Sequence, residues 1–259
     1  MPFSSMFKST HEFMIMSRAL TKMLRVRPPG RRLCLRATSR LLCSGHYKPP
    51  PSVRRIGELN EEVRGLHLSG NYAAALTASQ EAYELARGEF GTTHPAFASA
   101  ANNLALFHKE LGNVDQATQF YQEALASYKG SVGDKHKSTA AAAYNLAVLL
   151  RSQGLYAKAE PLDRAALEAR VAVLGDDHPD TLSSLSSLGA TLFLRGELAE
   201  AEPLLRRALE ARERLLGTSH PRVFATARNL AACLQALERH EEATSLLRYY
   251  PDPLLSGSL

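Results

Sequence analysis

The chain has 259 residues, 45% hydrophobic and 7% aromatic, with no tryptophan and three cysteines. Much alanine and leucine with few aromatic residues favours helices over a pleated sandwich; three cysteines cannot build a disulfide framework, and no apolar run approaches the length of a membrane span. The net charge of +5 averages two unlike parts: residues 1–57 carry twelve Lys or Arg against the single acid Glu12, +11, and residues 58–259 carry nineteen against twenty-five acids, −6, which argues against a phosphate-tracking nucleic-acid surface on the folded part.

The chain opens with a basic leader over residues 1–48. From Met14 it is rich in Arg, Ser and Thr and free of acid. A helix over Met16–Arg27 puts Leu20, Met23, Leu24 and Arg27 on one side and Arg18, Lys22 and Arg25 on the other, the pattern of a mitochondrial import presequence. Arg40-Leu41-Leu42 ahead of Cys43-Ser44 resembles a matrix-protease site, so cleavage is expected near residues 42–48 and location in the mitochondrial matrix or at the inner membrane, with a plastid or cytoplasmic location as alternatives. Prolines 49–51 then read as a stiff linker.

From residue 52 to 250 the sequence repeats itself. His94, His136, His178 and His220 are spaced by 42 residues, and three of them precede proline. Two glycine columns keep the same phase, Gly70, Gly112, Gly154, Gly196 and Gly91, Gly133, Gly175, Gly217. So do two alanine columns, Ala75, Ala117, Ala159, Ala201, Ala243 and Ala82, Ala124, Ala166, Ala208. A fixed period of this size marks a stacked array, with units near 52–93, 94–135, 136–177, 178–219 and 220–250 and a tail over 251–259. Each unit predicts two helices. Leu182, Leu185, Leu188 and Leu192 form one stripe, so helix A spans Pro179 to Arg195 and stops at Gly196. Helix B spans roughly Leu198 to Leu216, with Pro203 in its first turns, where a missing N–H does least harm. The first alanine column is expected where helix B crosses helix A closely, and the second where the next repeat is received.

These residues resemble tetratricopeptide repeats of the 42-residue kinesin-light-chain type: the Gly-x-x-His-Pro junction, the Asn-Leu pairs at Asn103-Leu104, Asn145-Leu146 and Asn229-Leu230, the glycine turn and the alanine columns. The terminal units depart from the pattern, Ser52 and Glu62 in the first and Glu238 for glycine in the fifth. The resemblance implies an all-α, right-handed α-solenoid of about five helix-turn-helix repeats whose A helices line a concave groove. Its partner-binding residues carry over by position to Asn102, Asn103, Lys109, Tyr144, Asn145, Arg151, Ser187, Arg228 and Asn229. Asparagines can pair with a peptide main chain whatever its side chains, and Lys109, Arg151 and Arg228 add attraction for acid. The alternative for the asparagines is bonding within the array. A lysine one turn before the asparagine, needed to clamp chaperone tails, is replaced by Ser99, Ala141, Ser183 and Ala225.

The stretch "LGDDHPDTLSSL" gathers Asp176, Asp177, His178 and Asp180, yet only the histidine recurs, so His178 is read as the N-terminal residue of a helix and not as a metal ligand. His11-Glu12 lacks a second histidine at position 15, and no GxSxG, P-loop or dinucleotide fingerprint is present. Cys233 falls at a packing position. The expectation is a non-enzymatic scaffold or assembly factor that needs no cofactor or metal and holds a protein segment, with the import machinery as the leader's partner. A constitutive subunit of an organellar complex and a cytosolic kinesin-light-chain-like adaptor are the alternatives.

Overall fold

The computed structural model describes residues 49–251. The expected leader helix, its cleavage region and residues 252–259 of the tail lie outside the described residues. Among the described residues ten helices follow one another: α1 (Pro51–Leu68), α2 (Tyr72–Phe90), α3 (Pro95–Glu110), α4 (Val114–Val132), α5 (Lys137–Ser152), α6 (Tyr156–Leu174), α7 (Pro179–Arg195), α8 (Leu198–Leu216), α9 (Pro221–Ala236) and α10 (His240–Tyr249). The odd-numbered helices are the A helices of five repeats and the even-numbered ones the B helices. They fall into two compact units, α1–α4 and α5–α10, divided after Gly133.

The helix ends have local causes. At every repeat junction a histidine in extended conformation caps the coming A helix: the Nδ1 atoms of His94, His136, His178 and His220 accept the backbone N–H groups of Ala96, Ser138, Asp180 and Arg222, each at 3.1 Å. An imidazole serves here as the side-chain acceptor that serine or aspartate usually provides. The role requires neutral histidine with its proton on Nε2, because a protonated ring has only donors. The A-to-B turns close on residues with positive φ, Gly70, Gly112, Gly154 and Gly196; in the last repeat Glu238 takes the same conformation at φ 62°.

The expected limits of α7 and α8 match the structure. Three details differ. Pro51 is the first residue of α1, not linker, with Pro50 ahead of it as N-cap. Pro161 and Pro203 lie at the sixth position of α6 and α8, past the first four residues whose N–H groups are free anyway, so each removes one hydrogen bond from a helix interior. Finally, the second alanine column does not serve the next repeat alone: Ala82 shares a cluster with Leu59 and Val63 of its own repeat and with Phe107 of the next, and Ala124 and Ala208 share clusters with residues of their own A helices.

In unit one the core runs from Ile56, Leu59 and Val63 of α1 through Ala75, Ala82 and Ala86 of α2 to Leu104 and Phe107 of α3. In unit two the largest cluster joins Leu188 and Leu192 of α7, Leu205 and Leu209 of α8 and Val223, Leu230 and Leu234 of α9. Gly189 is needed where α7 meets α8, since a Cβ there would come within 2.7 Å of Leu205 Cγ. The short last helix is tied down at its end: Tyr250 is buried and its hydroxyl donates to Glu213 of α8 at 2.7 Å.

Candidate binding face

The A helices carry the residues expected to read a partner, and the structure divides these into three kinds. Asn102 and Asn103 of α3 are buried in unit one, and Asn103 Oδ1 has no hydrogen-bond partner. Asn145 on α5 and Arg228 on α9 are half-buried and Asn229 is exposed, all in unit two. The other four have the following contacts. Lys109 Nζ lies 3.1 Å from Glu110, and the Tyr144 ring lies under the guanidinium of Arg170, 4.7 Å from its centroid.

Arg151 and Ser187 belong to a buried network that sequence reading missed. At its centre is Asp163 of α6, fully buried. Ser187 Oγ donates to Asp163 Oδ1 at 2.8 Å and Thr191 Oγ1 to Oδ2 at 2.6 Å. Arg151 Nη1 lies 3.4 Å from Oδ2, 2.7 Å from Ser187 Oγ and 3.0 Å from Thr191 Oγ1. Burial pushes the Asp163 carboxyl up from its ordinary value, opposed by Arg151, by the two hydroxyls and by Arg170. A charge this deep persists only when paired and hydrogen-bonded. The arginine expected to attract acid from a partner therefore answers an acid of its own chain.

Two further buried arginines, one repeat apart, were also missed. Arg170 of α6 donates to Asp180 O and Ser184 Oγ of α7, both at 2.9 Å. Arg212 of α8 donates to Thr226 Oγ1 and Arg222 O of α9, and to Leu182 O of α7. Each reaches ten and fourteen residues ahead and fastens a B helix to the first turns of the following A helix. Burial lowers the Arg212 guanidinium to about 10. Their place 42 residues apart in helix B was the one sequence signal of this role.

The acid-rich junction loop resolves as the recurrence of His178 implies. His178 caps α7, and Asp176 and Asp177 pair with Arg207 and Arg214 of α8. Among the described residues no group of three or more His, Cys, Asp or Glu could hold a metal ion, and no helix is long and apolar enough to cross a membrane. Burial raises the Cys233 thiol, whose sulfur lies 3.8 Å from Leu198 O, the setting of a packed residue rather than a nucleophile.

A family profile, the tetratricopeptide repeat, matches residues 64–130, 97–170, 138–214 and 185–248. No curated protein matches the sequence. Among solved structures, a Podosopora anserina protein described as a kinesin light chain with nearly identical TPR-like repeats is similar at TM-score 0.67 and 23% identity, over 78% of this chain and 95% of that one. BtubC (BKLC) from P. vanneervenii is similar at TM-score 0.68 and 19% identity, over 98% of this chain and 94% of that one. MamA, residue 41 to its end, from Desulfovibrio magneticus RS-1 gives TM-score 0.56 and 16% identity, over 79% and 98%. At these identities the likeness is one of fold.

Proposed function

This chain belongs to the tetratricopeptide-repeat family, and from that premise we infer that it is a protein-interaction scaffold whose A-helix faces hold an extended segment of a partner protein. The observation that carries the reading is Asn229, an exposed amide on an A helix, whose donors and acceptor can pair with a peptide main chain. Asn103 holds the matching position on α3 but is buried. Asn145 and Asn229 hold the same register on α5 and α9. Arg151 and Lys109 lie against Asp163 and Glu110 of the same chain, which takes away the ground for a preference for acidic partners.

We further propose that residues 1–48 direct mitochondrial import and are removed near residues 42–48, so that the scaffold works inside the organelle as an assembly factor. Terminal peptide sequencing of the protein from isolated mitochondria tests this, and an intact Met1 in the cytosol refutes it. The binding reading is tested by affinity purification of the tagged chain, then calorimetry of the recovered partner against Asn145→Ala and Asn229→Ala. Each is expected to weaken binding, by about 0.5–1.5 kcal/mol per lost hydrogen bond, while circular dichroism melts stay in place. Unchanged affinity in the double variant moves the binding surface elsewhere.

A further inference from the structure

Arg170 and Arg212 stand one repeat apart and are both buried, each holding the first turns of the A helix that follows it. Their surroundings differ in charge. Asp163, two turns earlier on α6, attracts Arg170. Asp180 supplies the carbonyl that Arg170 holds at 2.9 Å, and the Tyr144 ring centroid lies 4.7 Å from the guanidinium carbon. Forty-two residues on, all three positions have lost this negative character: Leu205 stands for Asp163, Arg222 for Asp180 and Ser186 for Tyr144.

Arg212 is left with neutral oxygens. Its Nη1 donates to Thr226 Oγ1 and, at 3.5 Å, to Arg222 O; its Nη2 donates to Leu182 O at 3.3 Å and to Ser183 Oγ at 3.4 Å. Three of these four bonds are long, since N–H···O bonds centre on about 2.9–3.0 Å; both bonds of Arg170 measure 2.9 Å. Among the described residues no carboxylate acts on Arg212. Burial, opposed by Tyr144 and aided by the like charge of Arg222, lowers its guanidinium to about 10, which leaves it charged at neutral pH. The first turn of α9, to which it is bound, is the positive end of that helix and gives no relief. A buried cation in this state lacks a counter-charge. Ser183 and Arg222, which it touches, are half-buried, so the guanidinium lies one side chain below the surface.

We propose that Arg212 and Arg222 form a binding site for an oxyanion, the carboxylate or phosphate group of a ligand, with the Ser183 hydroxyl as a further donor. An anion there meets the buried guanidinium in charge-assisted bonds and relieves its repulsion with Arg222. The site lies within unit two among α7, α8 and α9. It uses none of the residues assigned to partner binding and stands whether or not the asparagine column reads a peptide. The test titrates the full chain with sodium phosphate and, separately, sodium acetate, at constant ionic strength and neutral pH. Calorimetry and the midpoint of the circular dichroism melt are the readouts. A saturable rise in midpoint is expected, because a ligand that binds only the folded state stabilises it by mass action. Tighter phosphate assigns the site to phosphate groups, tighter acetate to carboxylates. Arg222→Gln is expected to weaken binding by about tenfold or more with the melt retained, and Arg212→Met to abolish it. Arg164→Gln, at an exposed ion pair with Glu200, leaves binding unchanged. Should Arg212→Met fail to fold, Arg222→Gln and Ser183→Ala decide. Absence of saturable binding of either anion at millimolar concentration overturns the proposal. So does binding that none of these substitutions at the site diminishes, since phosphate also stabilises proteins by exclusion from their surfaces.

Discussion

The same four register positions are filled in opposite ways in the two units. In unit two Arg151, Asp163, Ser187 and Thr191 form a closed ionic network. Two repeats earlier those positions hold His67, Ser79, Asn103 and Phe107. There the His67 ring packs edge-on against Phe107 at 5.8 Å, while Ser79 Oγ and Asn103 Oδ1 are buried without partners. One backbone thus accepts either filling. The ionic version must be complete to be tolerable, since a buried charge that loses its partner is far costlier than a hydroxyl that never had one.

Removing one partner should break the comparison most sharply. Arg151→Ala strands Asp163 and is expected to cost about 3–5 kcal/mol, read from urea unfolding. Replacing the set with apolar residues, Arg151→Met, Asp163→Leu and Thr191→Leu, is expected to be neutral or stabilising by about 1–4 kcal/mol. If the triple variant loses as much as the single one, the network carries more than its own upkeep. Serine gives the next test, with opposite signs in the two units. Ser187→Ala should cost about 1–3 kcal/mol by leaving the network short, whereas Ser79→Ala removes an unpartnered hydroxyl and should gain up to about 1 kcal/mol.

The turns sharpen the contrast at a smaller scale. Unit one closes both A-to-B turns with glycine, while unit two closes its last with Glu238 in the left-handed region. Glu238→Gly should stabilise by about 1 kcal/mol, visible as a higher midpoint for α9 and α10 by hydrogen exchange. Acid should separate the units more gently. Burial lowers His67 and His108 of unit one and His136 of unit two from their ordinary 6.5. Their contribution is full above that value and is lost as pH falls through the lowered ones. Asp163 runs the other way: raised in the fold, it takes up its proton more readily than the unfolded chain does, and so softens acid loss in unit two as pH falls toward 3.8. Melts between pH 7.5 and 4.5, resolved by exchange, should show unit one weakening first.

The helices, their ends and the histidine caps were legible because they rest on local rules repeated with one period: a cap ahead of proline, a glycine past the turn, a leucine stripe. Asp163 was not, because an acid on helix B reads as a solvated face, and only its neighbours in three dimensions show otherwise. A sign was nonetheless present in the columns. Asp163 stands in register with buried Tyr121 and Leu205, and Thr191 with Phe107, Leu149 and Cys233, so polar residues had entered two apolar columns together. Arg151 was assigned to the groove by its place on an A helix; sequence position gives the face of a residue but not the length of its reach. The asparagine column was legible as a column, yet burial differs along it from Asn103 to Asn229, because each repeat packs its own neighbours.

The tie between Tyr250 and Glu213 fixes how much of the C-terminal end the fold can give up. Trimming by an exopeptidase as far as Pro251 removes nothing that the described helices use. One residue further exposes Glu213, unseats a buried ring and leaves a ten-residue helix too short to hold by itself. Digestion should therefore halt beside that tyrosine, and a chain cut past it should be degraded through the whole fifth repeat.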